Sequence, residues 1–503
     1  DAITLRPPAP FDLPISPPGS KSISNRALLF AALADGPSTL RGLLQADDTR
    51  HMRACLTALG LSLHEHPDDP TTLHFTGQSG RLTSPPNERP TLYVGTAGTV
   101  ARLLGAALAA SSVHVLLDGT PRMRERPMAQ LLDALTTQGA RLTPHGTPGF
   151  LPVEIGPDTP PLRGGTITLA RPASSQIVSG LVVAATLADA PTRIVLEQGT
   201  PARPYVDMTL AVLEAFGGSA RWETSESSDA PDTPDSPDAS NASDALNASG
   251  ASDASNASGA SDASNASDAS NASGASNSPT TPTTPTSPTS PTSPSTLIVE
   301  PAPLRGLDYT IEPDASAASY PLGLAALYGS RCRIPALGRT SLQGDVAFAP
   351  QILARMGAHV EQTDTETIVQ GRGPLLGGDF DLTDMPDMTL TLAVLALHAR
   401  GPTRIRGVGI LRHHESDRLA AISTELRKLG ATVEEHPDGL SIDPPSDGPL
   451  RGVTVDTYDD HRMAMALSLV GDVIVRDPGC VAKTWPNYFS VLRKLGMVVL
   501  SAR

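Results

Sequence analysis

Residues 426–436 read LRKLGATVEEH, and this pattern of an apolar helix end, a glycine and an alternating strand occurs six times in the 503-residue chain. A glycine ends a helix readily because it adopts the left-handed backbone conformation without a steric penalty. The alternation of apolar and polar residues after it predicts a strand. The six copies are LTALGLSLHEH (56–66), LTTQGARLTPH (135–145), LEAFGGSARWE (213–223), LARMGAHVEQT (353–363), LRKLGATVEEH (426–436) and LRKLGMVVLSA (492–502).

The spacing of these glycines indicates a repeat that is interrupted once. Successive glycines are separated by 79, 78, 140, 73 and 66 residues, in the order Gly60, Gly139, Gly217, Gly357, Gly430 and Gly496. The longest interval contains residues 226–295, which consist mostly of Asp, Ala, Ser, Asn, Thr and Pro. Such a segment cannot bury enough apolar surface to offset the entropy lost on ordering it. We therefore predict a disordered insert in the hairpin of the third copy.

A second pattern recurs in phase with the first, namely an apolar helix with a polar start. The starts lie at Ser20 to Ser24, Gly98 and Thr99, Ser174 and Ser175, Asp314 and Ser316, Asp387, and Asp459 and Asp460. Ser, Thr and Asp side chains accept hydrogen bonds from the backbone N–H groups at a helix start. Each unit is therefore predicted to contain a strand, a capped helix, a strand, a second helix and a hairpin.

Six such units exceed one core of ordinary size, so we predict an α/β (α+β) fold with two lobes of three units each. The first lobe is placed at residues 20–303, interrupted by the insert at 226–295. The second lobe is placed at residues 1–19 plus 304–503. The last copy ends without its return strand, and we expect ITLRP (3–7) to supply that strand.

Composition argues against several classes of protein. A net charge of −15 and an aromatic content of 3% do not fit a general nucleic-acid-binding protein, which carries a basic face. Cys55, Cys332 and Cys480 are far apart, which suggests neither a disulfide framework nor a metal-binding pair. No apolar run reaches the roughly 18 residues of a membrane span, and residues 1–10 lack the pattern of a signal peptide. We expect a cytoplasmic protein with no membrane or nucleic-acid partner.

The lysines indicate where an anion binds. Only Lys21, Lys428, Lys483 and Lys494 are lysines, and Lys428 and Lys494 lie at helix ends, where a cation suits the helix dipole. Lys21 and Lys483 instead lie in turns before a helix, where a compact ammonium can hold a phosphate or move a proton. Helix starts attract anions as well. We infer a multiply charged anionic ligand, while the run PRMRERP (121–127) taken alone also fits a solvated charged face.

Seven motifs together resemble the 5-enolpyruvylshikimate-3-phosphate synthase family, of the bacterial type. They are GSKSISNRALLFAALA (19–34), GTAGTVARLL (95–104), DGTPRMRERPM (118–128), RPASSQIVSGL (171–181), HESDRLAAI (414–422), YDDHRMAMALS (458–468) and CVAKTWPNYF (480–489). The resemblance implies a two-domain inside-out α/β barrel with three βαβαββ repeats per domain. It also implies transfer of the enolpyruvyl group of phosphoenolpyruvate to the 5-hydroxyl of shikimate 3-phosphate, with release of phosphate.

The resemblance assigns roles position by position. The matching catalytic residues are Lys21, Asp387, Glu415 and His461. The matching shikimate 3-phosphate contacts are Lys21, Ser22, Arg26, Ser174, Ser175, Gln176, Tyr205, Asp387 and His414. The matching phosphoenolpyruvate contacts are Lys21, Gly98, Arg122, Gln176, Arg418, Arg462 and Lys483. Asp387 is expected to take the 5-hydroxyl proton and Glu415 to handle the methylene proton, although Glu415 also fits a capping acid. We expect a monomer with no cofactor and no metal.

The sequence departs from the best-known bacterial pattern at several positions. Thr96 replaces Asn, Leu103 replaces Pro, Ala202 replaces Ser, Ile410 replaces Asn and His414 replaces Lys. These changes bear on affinity more than on the type of reaction. The small Gly98 is what the family needs for glyphosate to fit beside phosphoenolpyruvate, so the resemblance implies a glyphosate target.

Two alternatives stay open at this point. The first is the related transferase that acts on UDP-N-acetylglucosamine, whose usual hallmark is a cysteine in the loop equivalent to residues 118–127. The chain has no cysteine between Cys55 and Cys332. The second is a non-catalytic anion-binding relative. Such a protein would not need all four of the proton-handling candidates Lys21, Asp387, Glu415 and His461, whose presence argues against it.

Overall fold

The computed structural model describes residues 1–157, 160–223 and 294–501. These residues form 24 strands and twelve α-helices. The strands are β1 Ala2–Arg6, β2 Asp12–Pro14, β3 Pro37–Arg41, β4 His64–His66, β5 Asp69–Thr76, β6 Thr91–Tyr93, β7 Val115–Asp118, β8 Leu142–Pro144, β9 Val153–Ile155, β10 Gly165–Leu169, β11 Thr192–Leu196, β12 Ser219–Trp222, β13 Ser295–Glu300, β14 Asp308–Thr310, β15 Arg331–Pro335, β16 His359–Gln362, β17 Glu366–Gln370, β18 Asp379–Asp381, β19 Thr403–Arg406, β20 Thr432–His436, β21 Gly439–Asp443, β22 Val453–Val455, β23 Val473–Arg476 and β24 Val498–Ser501. The helices are α1 Lys21–Leu33, α2 Asp47–Ala58, α3 Gly98–Ala109, α4 Pro121–Arg124, α5 Ala129–Thr137, α6 Ser175–Thr186, α7 Pro204–Ala215, α8 Ala315–Leu327, α9 Thr389–Ala396, α10 Arg418–Lys428, α11 His461–Leu467 and α12 Tyr488–Lys494. Short helical turns lie at Gly344–Ala347, Ala349–Leu353, Pro386–Met388, Gly409–His413, Ser468–Val470 and Pro478–Lys483.

The strands form six sheets that share one plan. Each sheet has four strands, in which the first two are parallel and the other neighbours are antiparallel. The orders are β14-β3-β5-β4, β6-β7-β9-β8, β10-β11-β13-β12, β2-β15-β17-β16, β18-β19-β21-β20 and β22-β23-β1-β24. This repetition confirms the predicted α/β fold of six similar units.

The repeated glycines end their helices as the sequence predicts. Gly60, Gly139, Gly217, Gly357, Gly430 and Gly496 all have positive φ angles, between 86° and 113°. This is the left-handed region that a glycine enters without a steric penalty and that allows the chain to leave the helix.

Two separate hydrophobic clusters explain why six small sheets form a stable protein. One cluster contains residues between Ile23 and Ile311, and the other contains Leu5, Ile15 and residues between Ala315 and Val499. Within the first, α1, α3 and α6 pack together, and all twelve residues of α3 are buried. Within the second, all eight residues of α9 are buried. Helices that are apolar on every side lie in the interior, which leaves the sheets outside.

Two short strands mark where the chain passes between the two clusters. β14 pairs in parallel with β3, and β2 pairs in parallel with β15. The chain segments beside these strands run next to each other, since Ser20 N donates to Glu312 O and Asp314 N donates to Pro18 O, both at 2.8 Å. The lobe boundary at 303/304 stays a prediction. Residues up to Ile311 belong to the first cluster, because β14 completes its parallel pair there.

The predicted origin of the missing return strand is confirmed. β1 lies between β23 and β24, with Ile3 opposite Val475 and Ser501. β12 and β13, which flank the predicted insert, pair as an antiparallel hairpin. The insert predicted at 226–295 lies outside the described residues, apart from Pro294 and Ser295. Among the helices that the structure describes, none is both long and apolar enough to cross a membrane.

The position of β1 leads to a prediction about stability. Leu5 of β1 is fully buried in the second cluster, so Leu5→Ala removes packed methyl groups and is expected to lower the free energy of unfolding by about 2–5 kcal/mol. Leu500 on the adjacent strand β24 is 49% exposed, so Leu500→Ala is a matched control with an expected loss of about 0.5 kcal/mol or less. Urea unfolding followed by circular dichroism measures both losses. Equal, small losses would contradict the central position of β1.

Candidate active site

Helix starts from several units carry the polar residues that the sequence singles out. Side chains cap four of them: Ser20 Oγ accepts from Ile23 N, Ser174 Oγ from Gln176 N, Asp314 Oδ1 from Ala317 N and Asp460 Oδ1 from Arg462 N. The starts of α3 and α9 have no side-chain cap among the described residues. Helix starts of this kind favour negative charge.

Two adjoining cavities lie at these helix starts. The first is lined by Lys21, Ser22, Arg26, Thr99, Ser174, Ser175, Gln176, Ala202, Tyr205, Pro386, Asp387, Ile410 and His414. The second is lined by Lys21, Asp48, Gly98, Thr99, Arg126, Gln176, Asp387, His414, Glu415, Arg418 and Arg462. Five residues line both cavities, namely Lys21, Thr99, Gln176, Asp387 and His414. The structure thus brings together most of the residues that the sequence singles out.

The buried Arg418 guanidinium holds three carboxylates. Arg418 Nε donates to Asp460 Oδ2 at 2.8 Å, Nη1 to Asp387 Oδ1 at 3.0 Å and Nη2 to Glu415 Oε2 at 3.0 Å. Arg418 is 1% exposed and Asp460 is fully buried. Buried charges of this kind persist only when they are paired and hydrogen-bonded.

Asp387 lies between two arginines and is held in its ionised form. Arg462 Nη2 donates to Asp387 Oδ2 at 2.8 Å, opposite the Arg418 contact. Burial alone would raise the pKa of Asp387, but the charges of Arg462 and Arg418 outweigh burial and lower this pKa. Asp387 is therefore a carboxylate with hydrogen-bond donors on both oxygens.

Glu415 is a second ionised carboxylate at the same place. Lys483 Nζ donates to Glu415 Oε1 at 2.8 Å. Burial would raise the pKa of Glu415, yet Lys483, Arg418, Arg126 and Lys21 together hold it well below its usual value. Lys21 and Lys483, which come from opposite ends of the chain, therefore act on one carboxyl group.

Arg102 and Arg126 are site residues that the sequence analysis does not assign. Both are buried, and the Nε atom of each has no hydrogen-bond partner among the described residues. Arg102 Nη1 donates to Gln176 Oε1 at 2.8 Å, and Arg126 Nη1 donates to Thr96 O at 2.9 Å. Burial and then the Arg126 charge lower the pKa of Arg102 to about 9. The basic motif PRMRERP, which contains Arg126, is a sequence signal for an arginine in the site. Arg102 also has a sequence signal, because a charged residue is unusual inside an apolar helix.

Asp48 is another residue that the sequence analysis does not assign to the site. It lies at the start of α2, 3% exposed, and its Oδ2 is 3.7 Å from Lys21 Nζ. Aspartates are common at helix starts because their charge interacts favourably with the helix dipole. The pair Asp47 and Asp48 therefore gives no sequence signal for the contact between Asp48 and Lys21.

Three predicted site residues do not line either cavity, namely Arg122, His461 and Lys483. Arg122 donates to the backbone carbonyls of His414 and Glu415, at 3.0–3.2 Å, and so positions this loop. His461 is fully buried, with neither ring nitrogen hydrogen-bonded among the described residues. Burial, followed by the charges of Lys483 and Lys21, lowers the pKa of His461 well below its usual value, so the imidazole is neutral.

Arg26 is largely occupied by contacts within its own lobe. Its Nε donates to Thr209 Oγ1 at 2.8 Å, Nη1 to Ser22 O at 2.9 Å and Nη2 to Tyr205 O at 2.9 Å. Burial lowers the pKa of Arg26 to about 10. Arg26 therefore anchors Ser22 and Tyr205 at the edge of the first cavity.

Three of the departures from the family pattern, Ala202, Ile410 and His414, also line the first cavity. Ala202 contributes no polar side-chain atom there, and its backbone N donates to Thr383 O at 3.1 Å. Burial, followed by the Arg418 charge, lowers the pKa of His414 to about 3, so this side chain is neutral where the pattern has a charged lysine.

A larger groove elsewhere does not fit an anionic ligand. It has a volume of about 540 Å³ and is lined by Pro37, Ser38, Thr39, Gly60, Leu61, Ser62, His64, His74, Phe75, Thr76, Gly77 and Gln78. None of these residues is a lysine or an arginine. Within the described parts of the chain, no group of three or more His, Cys, Asp or Glu side chains could hold a metal ion.

Paired carboxylates and cations at converging helix starts define an enzyme that acts on small acidic molecules. The family model of EPSP synthase (3-phosphoshikimate 1-carboxyvinyltransferase) matches residues 5–251 and 289–492. A 3-phosphoshikimate 1-carboxyvinyltransferase from Serratia proteamaculans is 36% identical over 503 residues, covering 99% of each chain. One from Cronobacter sakazakii is 36% identical over 499 residues, covering 98% of this chain and 99% of the relative. The chain therefore belongs to the EPSP synthase family.

Solved structures support the fold independently. EPSP synthase from Acinetobacter baumannii matches with a TM-score of 0.70 at 21% identity, covering 99% of this chain and 100% of the other. The enolpyruvyl transferase NikO from Streptomyces tendae matches with a TM-score of 0.68 at 17% identity, covering 99% and 98%.

The Arg418 cluster leads to a prediction. Asp460→Asn keeps the helix cap but removes the charge that is paired with Arg418, and the loss of a buried partner is expected to cost about 3 kcal/mol of unfolding free energy. The neighbouring Asp459 is exposed, so Asp459→Asn is a matched control that should change little. Thermal and urea unfolding of the two variants give the comparison. A variant Asp460→Asn as stable as the control would show that Arg418 does not depend on Asp460.

Proposed function

We propose that this enzyme transfers the enolpyruvyl group of phosphoenolpyruvate to the 5-hydroxyl of shikimate 3-phosphate, giving 5-enolpyruvylshikimate 3-phosphate and phosphate in the shikimate pathway. The observation that carries the proposal is the pair of adjoining cavities, which share Lys21, Gln176 and Asp387. Two anionic substrates must lie side by side for this reaction. Two like charges at about 4 Å repel by about 4 kcal/mol at an effective dielectric constant near 20, so cations at their boundary are required.

The first cavity is assigned to shikimate 3-phosphate. Ser174 and Ser175 offer hydroxyls at the start of α6, where a phosphate also meets backbone N–H groups. Ser22 and Tyr205 complete the polar lining, and Arg26 holds the backbone of both. Because Ala202 offers no hydroxyl, this phosphate has one hydrogen bond fewer than in relatives with serine there.

The second cavity is assigned to phosphoenolpyruvate. Arg126, Arg418 and Arg462 line it, together with Gly98 at the start of α3. The spare Nε donor of Arg126 suits a phosphate or carboxylate oxygen. Lys483 lies behind Glu415, and Arg122 holds the loop that carries Glu415. Lys483 and Arg122 therefore act on phosphoenolpyruvate either through Glu415 or by direct contact after a small movement of their side chains.

Asp387 is assigned as the base for the 5-hydroxyl. It lines both cavities, so it lies where the hydroxyl of one substrate must reach the carbon of the other. Its ionised state allows it to accept a proton as the new C–O bond forms. The two arginines that hold it are also the phosphoenolpyruvate ligands, so substrate binding weakens their hold and makes Asp387 a stronger base.

Glu415 and Lys21 are assigned to the methylene carbon. This carbon must gain a proton while the hydroxyl attacks its neighbour, and the resulting methyl group must lose a proton when the tetrahedral adduct collapses. Glu415 is ionised in the free protein, so it is the acceptor in the second step. Lys21 lines both cavities and is assigned as the proton donor in the first step, and the proton that Glu415 takes up in the second step returns to Lys21 to close the cycle. The buried, neutral His461 is given a packing role behind Lys483 and Glu415.

We also propose that the protein is a cytoplasmic monomer with two lobes built on the two hydrophobic clusters. The cysteines are all free thiols, as suits a reducing compartment. Because β2 pairs with β15 of the second cluster and β14 pairs with β3 of the first, the lobe boundaries are placed near residues 14–20 and 311–315.

Phosphate release tests the function directly. The protein is incubated with phosphoenolpyruvate and either shikimate 3-phosphate or UDP-N-acetylglucosamine, and phosphate is measured. Turnover with shikimate 3-phosphate alone supports the proposal. Turnover with the nucleotide sugar supports the related transferase, and binding without turnover in either mixture supports a non-catalytic relative.

The assignment of Asp387 leads to a prediction. Asp387→Asn cannot accept a proton, so kcat is expected to fall by about 10²–10⁴-fold while shikimate 3-phosphate binding stays measurable by calorimetry. Asp384→Asn, three residues earlier in the same segment and outside both cavities, is the control and should keep wild-type kcat. Unchanged kcat in Asp387→Asn would remove its assigned role.

The close packing at Gly98 leads to another prediction. A Cβ at this position would lie 2.6 Å from Arg126 Nη2 and 2.7 Å from Arg102 Nη1, so Gly98→Ala must displace these guanidinium groups. We expect KM for phosphoenolpyruvate, and the inhibition constant of glyphosate, to rise by about tenfold or more, which is about 1.4 kcal/mol. KM for shikimate 3-phosphate is the internal control and should change far less. An equal rise in both KM values would point to a general distortion instead.

A further inference from the structure

Tyr205 connects Asp387 with a second carboxylate, Asp345, to which the proposed mechanism assigns no role. The Tyr205 hydroxyl oxygen is 2.8 Å from Asp345 Oδ2 and 3.2 Å from Asp387 Oδ2. Asp345 lies in the short turn Gly344–Ala347, Tyr205 on α7 and Asp387 in the turn before α9. A phenol hydroxyl thus connects a cavity carboxylate with a second carboxylate outside both cavities.

The number of hydrogens limits how these groups can be connected. A phenol has one hydrogen to donate, so it can satisfy only one carboxylate at a time. The shorter contact assigns this hydrogen to Asp345. The contact with Asp387 then becomes a hydrogen bond only when Asp387 carries a proton and donates it to the phenol oxygen.

Asp345 is placed to hold an additional proton. It is 4% exposed, its Oδ2 accepts from Ser316 Oγ, and its Oδ1 has no hydrogen-bond partner among the described residues. Burial and then the charge of Asp387 raise the pKa of Asp345 to about 6, whereas the arginines lower that of Asp387. A proton in this chain is therefore more stable on Asp345. The other titratable or charged groups around the chain are Asp314, Tyr320, His414, Arg418, Arg462 and Lys21.

We propose that the proton taken from the substrate hydroxyl by Asp387 is passed through Tyr205 to Asp345. As the C–O bond forms, the hydroxyl proton moves to Asp387. Asp387 then gives a proton to the phenol oxygen, and the phenol gives its own hydrogen to Asp345. When the adduct collapses, the proton returns along the same path and leaves with the departing phosphate, so that no proton is gained or lost over the cycle.

This inference rests on the proposed role of Asp387 and adds Asp345 as a positioning residue that does not touch the substrate. By removing the proton from Asp387, the relay restores the charge that balances Arg418 and Arg462. Without it, the adduct would form next to a neutral Asp387 and two unbalanced cations.

The test is the pH dependence of kcat in wild type and in Asp345→Asn, with shikimate 3-phosphate and phosphoenolpyruvate saturating. An unprotonated Asp345 is needed to accept the proton, so wild-type kcat is expected to fall as the pH drops through about 6. In Asp345→Asn this inflection should disappear, and kcat should be lower by about 10²-fold across the range. Binding of shikimate 3-phosphate, measured by calorimetry, should be unchanged.

Two further variants keep the test decisive. Tyr205→Phe breaks the same chain while leaving Asp345 in place, and it should lose the inflection as well even if Asp345→Asn fails to fold. Glu425→Gln is the matched control, because Glu425 is a fully buried carboxylate that also accepts from a phenol, Tyr458, at 2.7 Å, but lies outside both cavities. It should keep the wild-type kcat and pH profile.

The outcomes separate this inference from the proposed function. Wild-type kcat and an unchanged inflection near pH 6 in folded Asp345→Asn or in Tyr205→Phe would overturn the relay. If the wild-type protein does not turn over, or if Asp387→Asn remains fully active, the proposed function or the role of Asp387 has failed instead. An inflection that persists in Asp345→Asn with a reduced kcat would assign Asp345 a merely structural role.

Discussion

The contact of one buried guanidinium with three carboxylates is the constraint on which the site depends. Arg418 connects Asp387 and Glu415, which lie in the unit with sheet β18-β19-β21-β20, with Asp460, which lies in the unit with sheet β22-β23-β1-β24. Taking these charges out of water is costly, and only good geometry with several hydrogen bonds compensates for it. Asp460 also caps α11, so the position of that helix and the position of Arg418 are linked. These three carboxylates are therefore held in place by their shared ion pairs with Arg418.

This balance also explains how the free protein can keep so many charges in a small volume. In the free state, Arg418 and Arg462 are paired with Asp387, and Arg418 and Lys483 are paired with Glu415. An anionic substrate competes with these carboxylates for the same arginines and lysines. Binding thereby changes the basicity of both groups, which couples occupancy of the site to the start of the chemistry.

Much of the architecture follows from the sequence because it depends on local rules. The glycines after each helix need a backbone conformation that other residues avoid, so their spacing gives the units and the place of the insert. The strand at residues 2–6 was also predictable, since the last unit has no other return strand. The pairing of β14 with β3 of the first cluster was not, because pairing between strands that are far apart in sequence leaves no local pattern in a three-residue segment. In the site, the helix starts and exposed motifs were found, whereas Asp48, Arg102 and Asp345 were not. Each of these lies in an ordinary helical or turn setting, and only the three-dimensional contacts distinguish it.

The position of β1 has a consequence for how the chain could be rearranged. Ile3 lies opposite Ser501 in an antiparallel pair, so a short linker would join the two ends of the described chain as an ordinary hairpin. New ends could then be opened between Glu223 and Pro294, at the tip of the hairpin formed by β12 and β13. A circularly permuted protein of this kind would keep all six sheets intact, although its first residue would come from the middle of the present chain.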